Sequence, residues 1–496
     1  MSTIELKHLT FGYDGQGDLL FDDVNLVMDS SWKLGLVGRN GRGKTTLLSL
    51  LQGHLTYQGD IVIPLSTVYF PLNIQNEDLL TYDALTEVSS FELWQLEREM
   101  NHLNLSPDLL WQPYSTLSGG EQTKVLLACL FTEENFFPLI DEPTNHLDAA
   151  GRQQVAKYLQ QKAGYIVISH DRNFLDEVSN HTLAIEKNQI VLYQGNFSTY
   201  ETQKETQDSY EQAENSKLKK EIGRLKQTAA EKAAWSQSRE KDKYGKPSEK
   251  GSGAIGDTGF IGARAARVMK RSKQMEGRMQ SQIESKEGLL KNIETVDQLS
   301  LNYQPTYHKQ LIKVENLRLS YGMESLFSSL SFEINQGEIV ALTGANGSGK
   351  SSVIQYLLEN FTGISDGEVL RPQKLAISYV RQNYEDNQGT LKAFAEKERL
   401  DYSSFLNNLR KLGMERNVFH NKIEQMSMGQ RKKVELAKSL AQPAELYIWD
   451  EPLNYLDVFN QKQLEELLVR IKPAMLIVEH DERFLKNVSA GIVKLG

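Results

Sequence analysis

The string G-x-x-x-x-G-K-[ST] occurs twice in this 496-residue chain, as Gly38-Arg39-Asn40-Gly41-Arg42-Gly43-Lys44-Thr45 and as Gly344-Ala345-Asn346-Gly347-Ser348-Gly349-Lys350-Ser351. Each copy follows an apolar run, Leu34 to Val37 or Ile339 to Leu342. Each precedes apolar residues at helical spacing, Leu47, Leu48 and Leu51 or Val353, Ile354 and Leu357. That context predicts a buried strand, a tight glycine loop and a helix. Such a loop turns backbone N–H groups and the positive end of a helix toward phosphate oxygens. The lysine then reaches the outer phosphates, and the hydroxyl of Thr45 or Ser351 is placed to ligate Mg2+. Chance produces one such string in roughly two chains per hundred of this length at ordinary glycine usage. Two copies in the same strand-to-helix setting are therefore a duplication, and the chain is constrained to fold as two nucleotide-binding halves.

Both copies carry the same companions in the same order. The first half continues with Leu117-Ser118-Gly119-Gly120-Glu121-Gln122, then Leu139-Ile140-Asp141-Glu142, Asn145-His146-Leu147-Asp148 and Ser169-His170-Asp171. The second continues with Met426-Ser427-Met428-Gly429-Gln430, then Tyr447-Ile448-Trp449-Asp450-Glu451, Asn454-Tyr455-Leu456-Asp457 and Glu479-His480-Asp481. From the signature serine to the aspartate is 23 residues in each half, and from that aspartate to the histidine is 29 or 30. Matching order and spacing mark an internal repeat. These motifs resemble those of the ABC ATPase superfamily over both ends of the chain. The expected fold is α/β: two P-loop ABC ATPase domains joined by a long antiparallel α-helical hairpin linker.

The resemblance implies that two cassettes sandwich two ATP molecules head to tail, each site combining one half's P-loop with the other half's signature. ATP would then be bound by Gly38, Asn40, Gly41, Gly43, Lys44, Thr45 and Thr46 with Ser427 and Gly429. At the other site it would be bound by Gly344, Asn346, Gly347, Gly349, Lys350, Ser351, Ser352 and Gln382 with Ser118, Gly119 and Gly120. Tyr13 and Tyr321 fall at the positions that stack on adenine. Glu142 and Glu451 are the expected general bases, since phosphoryl transfer needs chiefly positioning and charge neutralisation. His170 and His480 would contact the terminal phosphate, and Mg2+ would be held by Thr45 and Asp141 in one site and by Ser351, Gln382 and Asp450 in the other. The sites are unequal. Met428 replaces the first glycine of the second signature, and Leu72 follows Tyr69-Phe70-Pro71 where Gln382 follows Tyr379-Val380-Arg381. Both departures are expected to slow the site built on Lys44.

Length allows two to four domains with ample core. A single cysteine, Cys129, excludes a disulfide framework and fits a reducing cytosol, packing in the helix behind the first signature. No apolar run approaches the roughly 18 residues of a membrane span. Nor does the start, Met1-Ser2-Thr3-Ile4-Glu5, read as an export signal. The chain is expected to be neither exported nor membrane-embedded, and, with 16 residues after His480, to carry no further domain there.

The net charge is −9, yet Glu214 to Glu294 holds 19 Lys or Arg against 11 Asp or Glu. An acidic protein with one basic arm points to a local polyanion contact. Leu218, Ile222, Leu225 and Ala229, and again Met279, Ile283, Leu290 and Ile293, recur at helical steps and predict two paired antiparallel helices. Some 35 residues in each would span on the order of 50 Å. Glycines and Pro247 mark the tip near residues 241–273. There Lys241, Lys243, Tyr244, Lys246, Phe260, Arg264, Arg267, Lys270 and Arg271 make a mixture suited to folded RNA, with charges for phosphates and rings for stacking.

Twin cassettes, a charged helical linker and no membrane segment resemble the ABC-F proteins. The stretches Lys250–Ile255, Gly262–Arg271 and Trp449–Asp457 resemble the Lsa-type antibiotic-resistance branch of that family. The resemblance implies a cytoplasmic monomer that pairs its cassettes within one chain and binds the ribosome in its exit-site region. The linker tip would be directed past the peptidyl-site tRNA toward large-subunit rRNA near the peptidyl-transferase centre. There it would displace lincosamides, streptogramin A compounds and pleuromutilins. The expected divisions are 1–199 for the first cassette with a short helical arm, 200–308 for the linker and 309–496 for the second cassette. A housekeeping ABC-F translation factor is the nearest alternative. The short interval between Leu72 and Ser115 tilts against it, since many such factors carry a long arm there. A transporter ATPase subunit would need membrane partners and gains nothing from a basic tip. A DNA-maintenance ATPase would place its coiled coil between P-loop and signature, not after His170.

Overall fold

In the computed structural model the apolar run before each P-loop is an interior strand of a largely parallel sheet. The structure describes residues 2–13, 19–133, 135–145, 147–242, 270, 274, 277–278, 281, 283, 285–286, 298–322 and 324–495. In the first half the strand order is Ser66–Phe70, Phe136–Asp141, Tyr165–Ile168, Lys33–Val37, His181–Glu186 and Gln189–Gln194, with only the last pairing antiparallel. In the second half the order is Ile377–Val380, Leu446–Asp450, Met475–Val478, Ile339–Thr343 and Gly491–Lys494, parallel throughout. The five parallel strands of the two sheets correspond in order, with Gln189–Gln194 an addition at the edge of the first, so the sequence repeat is a structural repeat. Helices cover both faces of such a sheet, which is why Tyr165–Ile168 and Met475–Val478 are buried at every residue rather than alternately. Ligand crevices of parallel sheets open at the carboxyl ends of the strands. Both P-loops, Asp141 and Asp450 leave the sheet at that end.

Each half adds an antiparallel sheet, built on Thr3–Phe11 in the first and on Gln310–Tyr321 in the second. Between Leu72 and Ser115 run the helices Thr81–Thr86 and Leu93–His102 and the single turn Pro107–Trp111. Residues 298–308, read from the sequence as the end of the linker, pack on the second cassette instead. Leu299 is buried in its core, and Asn302 N–H donates to the Leu440 carbonyl at 3.0 Å. Met1–Tyr200 with Val296–Gly496 forms one compact unit and Glu201–Thr295 a second.

The second unit contains most of the helix Phe197–Asp242, 46 residues long. Within the unit Lys286 Nζ donates to Glu221 Oε2 at 2.5 Å, beside the buried Ile222 and Ile283. Of the tip residues, Lys270 is helical and exposed, and Lys241 lies on the long helix. Lys243, Tyr244, Lys246, Phe260, Arg264, Arg267 and Arg271 lie outside the described residues. Among the described residues no helix is long and apolar enough to cross a membrane.

Candidate ATP sites

Each P-loop ends on a glycine that caps the following helix with φ near +90°, Gly43 before Lys44–Leu51 and Gly349 before Lys350–Leu357. Only glycine adopts this conformation without strain, and a Cβ on Gly43 would also sit 2.6 Å from Leu20 Cδ2. The lysines fold over their own loops. Lys44 Nζ donates to the Gly38 carbonyl at 2.7 Å, and Lys350 Nζ to the Gly344 and Ala345 carbonyls at 2.9 and 2.8 Å. Burial lowers the pKa of both ammonium groups against the pull of nearby carboxylates, chiefly Asp457 for Lys44 and Glu451 for Lys350. The neighbouring hydroxyls point at the strand-end aspartates, Thr45 Oγ1 to Asp141 Oδ2 at 2.9 Å and Ser351 Oγ to Asp450 Oδ2 at 3.3 Å.

Glu142 and Glu451 have φ of +52° and +47°. For a side chain of this size that conformation costs energy and persists where the surroundings impose it. The constraint is visible: each N–H donates across the sheet end at 2.9 Å, Glu142 to Ile168 and Glu451 to Val478. The two carboxylates differ in their company. Glu451 Oε2 accepts from Gln382 Nε2 at 3.0 Å and Asn454 Nδ2 at 2.6 Å. Burial alone would raise its pKa, but His480 and Gln382 outweigh it and hold the carboxyl below its ordinary value. Glu142 Oε1 has no hydrogen-bond partner, although His170 Nε2 lies 3.2 Å away. Burial, then the charge of Asp141, push Glu142 well above the usual carboxylate range.

The P-loops and signatures meet head to tail. Ser118, Gly119 and Gly120 face Asn346, Gly347, Gly349, Lys350, Ser351 and Ser352 across a cavity of about 990 Å³, whose wall also includes Tyr321, Gln382, Glu451 and His480. Each signature serine caps its helix in a reciprocal box, Ser118 with Glu121 on Gly119–Leu130 and Ser427 with Gln430 on Met428–Ala441. The helix N-termini are thereby fixed at the interface. On the opposite side the first P-loop touches the second cassette directly. Asn40 N–H donates to Asp457 Oδ2 at 2.8 Å, Asn40 Nδ2 to the Tyr455 carbonyl at 3.1 Å, and Gly429 packs against the same amide. Asp457 therefore holds a backbone donor of the loop that the sequence assigns to phosphate.

The cavity suits a nucleotide in size and in its donors. His480 Nε2, on its wall, is buried without a hydrogen-bond partner, and a phosphate oxygen would supply one. The oxygen donors Ser351, Gln382 and Asp450 match Mg2+, which binds through few protein ligands, water and phosphate. When bound, that ion neutralises charge on the phosphate oxygens.

Several contacts have no forecast in the motifs. Tyr69 OH donates to Asp141 Oδ2 at 3.0 Å, and Gln461 Nε2 bridges the cassettes to the His170 carbonyl at 3.0 Å. Lys432 is buried on the wall near Glu479 and Glu451, its pKa lowered by burial to about 8. Tyr13 OH lies 2.9 Å from Thr46 Oγ1, whereas Tyr321 lines the cavity. Leu72 packs into the first cassette's core, and Met428 reaches the cavity on the Lys350 side. Cys129 is buried, its thiol pushed up to about 12 by that burial.

Two composite nucleotide sites on a repeated P-loop fold define a paired-cassette ATPase using ATP and Mg2+. A family model described as ABC transporter matches residues 21–145 and 327–454, and the chain belongs to that family and, within it, to the ABC-F proteins. It is 28% identical over 482 residues to the ribosome protection protein VmlR of Bacillus subtilis (strain 168), covering 96% of this chain and 84% of that protein. It is 26% identical over 538 residues to the energy-dependent translational throttle protein EttA of Haemophilus influenzae, covering 96% and 89%. Among solved structures, the archaeal ribosome recycling factor aABCE1, in complex with the stalk protein aP1, superposes with a TM-score of 0.63 at 18% identity. That match covers 98% of this chain and 87% of that one.

Proposed function

We propose that this protein is a cytoplasmic ribosome-protection ATPase. It binds the ribosome as a monomer with its cassettes closed on ATP, and displaces lincosamides, streptogramin A compounds and pleuromutilins from the large subunit. The observation that carries this reading is the likeness to a ribosome protection protein along 96% of the chain. The basic charge of the segment between the cassettes supports an RNA contact, and the resemblance to the ABC-F proteins implies that it falls near the peptidyl-transferase centre and the peptidyl-site tRNA. In each site Glu142 or Glu451 orients the attacking water, His170 or His480 contacts the terminal phosphate, and the lysine and signature glycines hold the phosphates. Asp141 with Thr45, and Asp450 with Ser351 and Gln382, position Mg2+. Turnover falls mainly to the Lys350 site, where Gln382 and Asn454 hold the base. Hydrolysis opens the sandwich and releases the ribosome.

The double variant Glu142→Gln/Glu451→Gln should remain with ribosomes in a sucrose-cushion pellet when ATP is present. The intact gene should raise the inhibitory concentrations of the three drug classes in a susceptible host. A folded, ATP-binding double variant that stays in the supernatant would refute ribosome binding. The match to EttA along most of the chain favours a second reading, a housekeeping translation factor. It predicts ribosome trapping with unchanged drug susceptibility.

A further inference from the structure

The loop that carries Gln382 is fastened to the second signature helix by a buried ionic cluster. Glu435 Oε1 accepts from Arg381 Nε at 3.1 Å, from the Arg381 backbone N–H at 3.3 Å and from Lys438 Nζ at 2.6 Å. Its Oε2 accepts from Asn387 Nδ2 at 2.8 Å. Arg381 in turn donates to Asp386 at 2.7 Å and to Asn387 Oδ1 at 2.6 Å. The Glu435 side chain is 0% exposed. The next residue along the loop is Gln382, whose amide holds the Glu451 carboxylate.

The other half of the same chain is an internal control. The sheet registers place Val380 opposite Trp449 and Phe70 opposite Ile140, so Arg381 and Gln382 occupy the places of Pro71 and Leu72. The signature helices begin at Ser427 and Ser118. Counting from those caps, Glu435 corresponds to Leu126 and Lys438 to Cys129. In the first half these positions form apolar packing, with Leu72 against a core containing Leu126 and Cys129. The architecture thus stands without the ions. Replacing a buried ion cluster by hydrocarbon is often neutral or stabilising, so its presence in one half only calls for a role other than holding the fold. The half that has it is the half whose loop carries a glutamine on the base.

We propose that Arg381, Glu435 and Lys438 are positioning residues for ATP hydrolysis at the Lys350 site, fixing the Gln382 loop so that its amide orients Glu451. Because the helix bearing Glu435 starts at the signature facing Lys44, the cluster also ties the base of one site to the signature of the other. In the first half the corresponding contact is apolar, Leu72 against the core that contains Leu126 and Cys129. This inference rests on the assignment of Lys350, Gln382 and Glu451 to one ATP site.

The test uses full-length protein in the Glu142→Gln background, so that turnover reports on the Lys350 site. The variant Arg381→Leu/Glu435→Leu/Lys438→Met, which imitates the first half, should melt near the parent temperature. Its kcat should fall about tenfold while KM for ATP stays within about twofold, the pattern of a group that matters in the transition state. Gln382→Ala should cost the parent a similar factor and cost the apolar variant nothing more. Glu435→Gln, which keeps the volume, supplies the same measurement should the triple variant fail to fold. A parental kcat in the variant that folds, or an undiminished cost of Gln382→Ala in it, overturns the inference. If Glu451→Gln leaves turnover intact in this background, the site assignment falls with it.

Discussion

At the scale of single residues the two glutamates show how one motif acquires two chemistries. A general base must be ionised and aimed. Glu451 is both, with two amides on one oxygen and a pKa held below its ordinary value. Glu142 has the same strained backbone and the same cross-sheet hydrogen bond, but its Oε1 lacks a partner and burial favours the protonated form. Glu451→Gln should therefore remove most of the steady-state ATPase activity, by about 100-fold where a positioned base is worth 10²–10⁴. Glu142→Gln should lower it by no more than about threefold by the same reasoning. Phosphate release from the two single variants, at saturating ATP, decides the matter, and a larger loss from Glu142→Gln reverses the assignment.

At the scale of elements, the strand–loop–helix units were legible in the sequence because their glycines, lysines and apolar runs obey local rules. The signature helices start on a local rule as well, Ser118 and Ser427 each with a side chain three residues on that closes a capping box. Less legible was the inner face of the helix Met428–Ala441, where Lys432, Lys433, Glu435 and Lys438 are all buried. Charged residues at apolar spacing were the available signal, but their partners Arg381 and Asn387 are distant in sequence and meet only through the tertiary fold. The cluster has a thermodynamic signature. Burial raises the pKa of Glu435, yet Lys438 and Arg381 prevail and bring it from 4.5 down to about 2. A depressed carboxylate stabilises the fold fully above its unfolded pKa and loses that contribution as pH falls toward its folded one. The difference in unfolding midpoint between wild type and Arg381→Leu/Glu435→Leu/Lys438→Met should be flat from pH 7 to about 5. Below that it should move against the wild type, down toward about pH 2. Urea unfolding at several pH values measures it, and a gap that stays constant throughout would show that the glutamate is not held by charge.

At the scale of the whole chain, duplication supplies two similar surfaces, and their differences decide how the cassettes meet. The head-to-tail pairing is what the resemblance to the ABC ATPase superfamily implies, but the side chains that join the halves were not legible, since interface pairs leave no period in either partner. Arg172 Nη1 donates to Glu465 Oε2 at 3.1 Å, with the Arg172 side chain 4% exposed. Counting from the helix caps Asp457 and Asp148, Glu465 corresponds to Ala156, and Glu482 stands in the place of Arg172. The mirror-image pair is thus absent among the described residues, and the ionic fastening lies on one side of the pseudo-symmetric interface. Removing one member of a buried pair leaves the other uncompensated, at a cost of about 3 kcal/mol in full burial and less here because Glu465 is partly exposed. Arg172→Ala should weaken cassette closure, raising KM for ATP several-fold and flattening the dependence of rate on ATP concentration. Arg172→Leu/Glu465→Leu should recover much of the loss, because it removes both charges and keeps apolar contact. If the double variant is as impaired as Arg172→Ala, the arginine serves the site through its contact with the Val458 carbonyl, 3.5 Å from Nη2, and not through the ion pair.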